Sequence, residues 1–161
     1  MLFFHVVPTT IAARPYIRQI GAVPKGETSV TPMVGIGADG AELGVKGGYR
    51  LSDNGFVPVI NNSVSIEGAC FLSEIGDGTM LAIAPLLRWD FHLHPQWTAY
   101  ASGGLEVRFA TGGDRDDNRR SSGSRVDIAG GGVWHMNPDF DLRGEVDLAH
   151  DSLRAGVEFR F

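Results

Sequence analysis

About eight stretches of this chain alternate residue by residue between apolar and polar side chains, and nearly every charge within them falls on one side of the alternation. Successive side chains in a strand point to opposite faces, so each stretch presents one apolar and one charged face. A helical period, with apolar residues recurring every three or four positions, does not emerge over any long window. The pattern is clearest in the last ten residues, SLRAGVEFRF. There Leu153, Ala155, Val157, Phe159 and Phe161 share one face, and Arg154, Gly156, Glu158 and Arg160 share the other.

Taken in order, the apolar face starts with Val30, Val34 and Ile36, from Ser29 onward. After the Asp39-Gly40 hairpin signal come Leu43, Val45, Tyr49 and Leu51, with Glu42, Lys46 and Arg50 opposite. Val64, Ile66, Cys70 and Leu72 oppose Ser65, Glu67 and Phe71. The longest stretch sets Leu81, Ile83, Pro85, Leu87, Trp89, Phe91 and Leu93 against Ala82, Ala84, Leu86, Arg88, Asp90 and His92. Then Trp97, Leu105, Val107 and Phe109 oppose Thr98, Tyr100, Glu106 and Arg108. Val126, Ile128, Trp134 and Met136 oppose Arg125, Asp127 and His135, and Phe140, Leu142, Val146 and Leu148 oppose Asp141, Arg143, Glu145 and Asp147. Short connections make consecutive strands antiparallel neighbours. The fold class expected is all-β: an antiparallel up-and-down barrel of about eight strands over residues 29–161. Residues 1–28, broken by Pro8, Pro15 and Pro24, form an N-terminal arm or an extra hairpin.

Composition does not choose the solvent. A mean hydropathy of −0.03 resembles that of a soluble protein, and no apolar run is long enough for a membrane helix. In a membrane barrel, however, the lipid-facing and inward-facing residues cancel in such an average. The formal charge of −5 argues against nucleic acid as a partner. Cys70 is the single cysteine, which excludes an internal disulfide. Residues 1–7 are apolar but carry no basic start and no small-residue cleavage site, so the expectation is a secretory signal already removed.

Two details favour a transmembrane barrel over a lipocalin-like soluble one. Tyr49, Trp89, Trp97, Trp134, Phe140 and Phe161 lie on the apolar face near strand ends, where membrane-interface aromatics sit. An eight-stranded barrel also has an interior too narrow for three Trp and many Leu and Ile. The mixed charges instead fill it as ion pairs: Lys46, Arg50, Glu67, Arg88, Asp90, Glu106, Arg108, Arg125, Asp127, Asp141, Arg143, Glu145, Asp147, Arg154, Glu158 and Arg160. The closing strand, ending on Phe161 with apolar residues two, four, six and eight places before it, resembles the C-terminal strand of Gram-negative outer-membrane barrels. The chain is similar in kind to the OmpA-transmembrane and OmpX-like families. That resemblance implies an outer-membrane location, contact with membrane lipid and lipopolysaccharide, and recognition of the last strand by the barrel-assembly machinery. It also implies a structural or interaction role, with exposed loops for adhesion or for an envelope or extracellular protein partner.

With the C-terminus periplasmic, the turns at 94–96 and 137–139 are periplasmic and the polar loop at 111–124 faces outside. The connection at 52–63 breaks this rule by being long; a lid over the barrel end is the one role the sequence offers it. Three motifs invite chemistry. His150, Ser152 and Glu158 resemble the His-Ser-Glu set of lipid A deacylase barrels, the enzymatic alternative, but Glu158 stands about 20 Å along the strand from Ser152, so a plain turn is preferred. His92, His94 and His135 are read as interfacial rather than as a metal site, which needs three or four converging ligands. Asp114, Asp116 and Asn118 resemble half of an EF-hand loop but lack its Gly and its closing Glu. No cofactor and no metal are expected.

Overall fold

The computed structural model describes residues 16–18, 26–38, 40–75, 78–111 and 122–161. Eight strands follow one another: β1 (Thr28–Gly37), β2 (Gly40–Ser52), β3 (Asn62–Ile75), β4 (Gly78–His94), β5 (Trp97–Thr111), β6 (Gly123–His135), β7 (Phe140–Asp147) and β8 (Ser152–Arg160). Each pairs antiparallel with the next, and β1 also pairs with β8, so the sheet closes without an edge. Closure satisfies backbone groups that neither lipid nor a packed interior would solvate. The alternation seen in the sequence places all eight strands, whose observed ends differ from it by up to a few residues, as where β1 starts at Thr28 and β2 at Gly40.

The two ends differ. At one, here the turn end, lie the tight β4–β5 and β6–β7 connections and Phe161. The long β2–β3 connection lies at that end too, and at the other, the loop end, lie the β1–β2, β3–β4, β5–β6 and β7–β8 connections. Gly40 there has φ +124°, a conformation that favours glycine. At the β7–β8 turn, Asp147 Oδ1 accepts hydrogen bonds from the backbone N–H of Ala149 (2.8 Å) and of His150 (3.0 Å). Strands β7 and β8, at 8 and 9 residues, rise about 20–23 Å at ~3.3 Å per residue and a tilt of about 40°. That is close to the apolar band of an outer membrane. Strands β3 to β6 are longer, so one side of the wall stands taller at the loop end.

The outer face is apolar and exposed, with Val34, Ile36, Leu43, Leu87, Leu105, Ile128, Val146 and Leu153 among its members. The inner face is not wholly charged. Met33, Ala69, Phe71, Ala82, Ala84 and Leu86 form a small apolar cluster beside the ion pairs. Glycines make room for the large inward side chains. Phe71 lies opposite Gly44 and Tyr100 opposite Gly131, and a Cβ on either glycine would collide with the facing ring. Pro85, which has no N–H to donate, coincides with a gap in the β4–β5 pairing between Ile83 and Leu86, across which the register is kept.

The long β2–β3 connection does not cover the mouth as a lid. Its residues Gly55 to Val57 bend back onto the outer face of β3 and β4, where Phe56 meets Trp89 edge-on at 5.3 Å. Of residues 1–28, the described parts are a 3-10 turn at Tyr16–Arg18 and residues 26–28. The Ile17 carbonyl accepts a hydrogen bond from Asn61 N at 2.5 Å, and Glu27 N donates to the Phe161 carbonyl at 3.0 Å. The remainder of the N-terminal arm lies outside the described residues.

Candidate functional site: the charged interior

Strand stagger decides which inward charges meet, and it stacks them in three levels. In the middle, Arg143 on β7 forms a two-pronged pair with Glu67 on β3, Nη1 to Oε1 at 2.6 Å and Nη2 to Oε2 at 3.0 Å. Arg143 also reaches Glu145 Oε2 at 3.1 Å and Glu158 Oε2 at 3.4 Å. Lys46 Nζ donates to Glu145 Oε2 at 2.6 Å. Tyr100 joins these groups: its hydroxyl accepts from Arg143 Nε at 2.9 Å and donates to Glu145 Oε2 at 2.9 Å. The guanidiniums of Arg88 and Arg143 lie over its ring, 4.4 and 4.5 Å from the centroid.

Toward the loop end, Arg154 bridges Glu42 (2.6 Å) and Asp147 (2.5 Å). Glu106 there gathers Arg108 (2.5 Å), Arg125 (3.0 Å) and His150 Nε2 (2.5 Å). Asp127 is buried in the same region, its Oδ1 without a hydrogen-bond partner among the described residues. Toward the turn end, Arg88 pairs with Asp90 (2.7 Å), Glu67 (3.0 Å) and Glu158 (3.0 Å). Below it a side-chain lace runs around the mouth. Ser63 Oγ meets His92 Nε2 at 3.0 Å, His92 Nδ1 meets Thr98 Oγ1 at 2.9 Å, and Thr98 Oγ1 meets His135 Nε2 at 2.8 Å. His135 Nδ1 then faces Asp141 Oδ2 at 3.0 Å, and Arg160 reaches the same carboxylate at 2.8 Å. Arg50 stands at this end, 3.4 Å from exposed Asp53.

Buried charges survive only when paired and hydrogen-bonded, and here long-range pairing across the lumen supplies both. Free space is small: a cavity of about 40 Å³ at the turn end, lined in part by Arg50, Arg88, His92, His135 and Arg160. At ~10–15 Å³ per water it holds about three waters. Among the described residues, ion pairs therefore occupy much of the interior.

The His150, Ser152 and Glu158 set does not come together. His150 turns to Glu106, Ser152 Oγ has no hydrogen-bond partner among the described residues, and Glu158 is engaged by Arg88 and Arg143 at other levels. His94 lies away from His92 and His135 and accepts a hydrogen bond from Gln96 N at 3.2 Å. Among the described residues, no group of three or more His, Cys, Asp or Glu side chains is placed to hold a metal ion. Asp114, Asp116 and Asn118 lie outside them.

The six aromatics picked from the sequence, Tyr49, Trp89, Trp97, Trp134, Phe140 and Phe161, all lie toward the turn end. Trp97 and Trp134 pair in register and stack at 5.8 Å. Trp89 is partly covered, its Nε1 donating to Asn62 Oδ1 at 2.8 Å. Sequence reasoning put Tyr100, Glu42 and His150 in place without assigning them to the ionic interior. The available signal for Tyr100 was an aromatic residue on a charged face, followed by the Gly130-Gly131-Gly132 run on the next strand.

No protein-family model and no curated protein matches this chain. Solved structures do. The N-terminal β-barrel domain of OprF from Pseudomonas aeruginosa superposes with a TM-score of 0.65 at 17% identity, covering 85% of this chain and 100% of that one. Ail of Yersinia pestis, solved in phospholipid bilayer nanodiscs, gives 0.55 at 14% identity, covering 85% and 100%. A de novo designed transmembrane β-barrel gives 0.58 at 13% identity, covering 86% and 98%. At such identities the likeness is one of fold. The chain has the fold of a small transmembrane β-barrel, the eight-stranded form found in the bacterial outer membrane.

Proposed function

We propose that the protein is an outer-membrane barrel with a structural and interaction role, its lumen plugged by ion pairs and its loop end facing outward. The observation that carries this reading is the inversion of polarity: an exposed apolar wall encloses charges such as Arg143, Lys46 and Glu67, which are almost fully buried. A wall of this kind suits lipid, and a filling of this kind suits a barrel that does not conduct. The turn end, with its tight connections, faces the periplasm. The strand ending at Phe161 is the segment offered to the barrel-assembly machinery.

Contacts outside the cell fall to the loops, for adhesion, for lipopolysaccharide or for an envelope or extracellular protein. The loop at 111–124 carries Asp114, Asp116 and Asp117 alongside Arg115, Arg119 and Arg120, and guanidiniums pair well with phosphate or sulfate oxygens. Ail, a protein of the same fold, has been crystallised with the heparin analogue sucrose octasulfate, which supports polyanions as ligands to try first. Two measurements test the proposal. Refolded protein should migrate differently in unboiled and boiled gel lanes and give no steady large conductance in planar bilayers; a reproducible open channel removes the plugged-lumen reading. Replacing residues 112–121 by a Gly-Ser linker should leave the gel shift intact and abolish lipopolysaccharide binding; unchanged binding removes this loop as the contact.

A further inference from the structure

The β2–β3 connection is unlike the other turns at its end. Its middle, GFVPVI at 55–60, carries no charge, and Phe56 and Val59 are 62% and 70% exposed. Yet the loop is tied down. Asn62 Nδ2 donates to the carbonyls of Val57 and Ile60, both at 2.8 Å, while Asn62 Oδ1 accepts from Trp89 Nε1 at 2.8 Å. Gly55 N donates to the Asn62 carbonyl at 2.9 Å, and a Cβ on Gly55 would collide with the Asn62 side chain. Asn62 and Val64 belong to the outward-facing set of β3 but are buried, so the connection covers the outer wall there. Trp89 continues this surface into Phe91, at 4.5 Å between ring centroids.

We infer that the 53–61 connection is an interfacial anchor, which inserts Phe56 and Val59 at the headgroup–acyl boundary of the membrane leaflet at the turn end. The inference rests on the reading of the chain as a membrane barrel. Lipid is the occupant because the loop is continuous, through Trp89 and Phe91, with the outer apolar wall and lies at the level of the aromatic girdle. Aromatic and apolar side chains on a polar-flanked support are what that boundary accepts. The flank is present at the root of the loop, where Asp53 pairs with Arg50.

The test uses full-length protein in phosphatidylcholine vesicles containing doxyl-labelled lipids. One sample carries an environment-sensitive fluorophore on Val59→Cys in a Cys70→Ser background. The control carries it on native Cys70, whose side chain is on the outer face of β3 at mid-wall. The label at 59 should emit to the blue of its emission in water and be quenched more by shallow than by deep doxyl groups, with the reverse order for Cys70. If Cys70 is quenched but position 59 emits as in water, the anchor is refuted and the barrel reading stands. A blue-shifted but unquenched label at 59, as a protein-covered surface would give, refutes it too. If Cys70 itself escapes quenching, the membrane-barrel reading falls with it.

Discussion

Replacing Arg143 tests whether the interior is held by its charges. The Arg143 side chain is fully buried and engages Glu67, Glu145, Glu158 and Tyr100 at once. Arg143→Ala withdraws the cation from three carboxylates, but each keeps another. Glu67 and Glu158 retain Arg88 at 3.0 Å, and Glu145 retains Lys46 at 2.6 Å. No carboxylate is left without a cation, so the loss should fall at the low end of the range for an uncompensated buried charge, about 3 kcal/mol. Arg143→Lys keeps a charge and gives up the two-pronged grip on Glu67, for a loss of about 1.5–3 kcal/mol. Adding Glu67→Gln to Arg143→Ala should cost less than the sum of the two single changes, because the first change has already removed what the second would break. Urea unfolding in lipid vesicles, read by the mobility of unboiled samples, measures this. With a slope of about 2 kcal/mol per molar urea, the Arg143→Ala midpoint should drop by about 1.5 M. A drop below about 0.5 M on that slope, or strict additivity in the double variant, would refute an ion-paired interior that contributes to stability.

Three further expectations follow from named contacts. Tyr100→Phe keeps the ring beneath Arg88 and Arg143 and deletes the hydroxyl between Arg143 and Glu145, so stability should fall by about 1–2 kcal/mol in the same urea assay. Gly131→Ala drives a Cβ into the Gly144 carbonyl and the Tyr100 side chain and should destabilise by at least about 1–3 kcal/mol. Gly47→Ala, whose Cβ meets nothing within 4 Å, should be neutral or stabilising by up to about 1 kcal/mol; equal effects at the two sites would show that glycine is not making room for the ring. Leu87→Arg places a charge on the exposed wall near mid-height and should cost about 2–4 kcal/mol in vesicles. A cost below about 0.5 kcal/mol there would argue that this wall does not face lipid.

Period-two alternation was strong enough to locate every strand, because a slip of one residue would exchange lipid-facing and inward-facing sets along the whole segment. The same constraint made the inward placement of Arg88 or Glu145 legible from their neighbours alone. It did not reveal the apolar cluster around Met33 and Phe71, since Ala82, Ala84 and Leu86 on a face shared with Arg88 and Asp90 carry no separate signature. Nor did it foretell the course of the 53–61 connection. That path depends on Asn62 bonding to both Trp89 and the loop backbone, contacts that no local pattern announces.

The sequence by itself determined the strands, their order and which side chains share a face, because alternation is a local property of an extended chain; which face turns outward rested on the aromatics near strand ends and on the narrowness of an eight-stranded interior. Tertiary structure decided the height at which each inward charge sits. Lys46 meets Glu145 across 99 residues and Arg143 meets Glu67 across 76, and those meetings are set by the stagger between strands as the sheet closes. Alternation fixes a side chain's direction, whereas closure fixes its level, and an ion pair needs both.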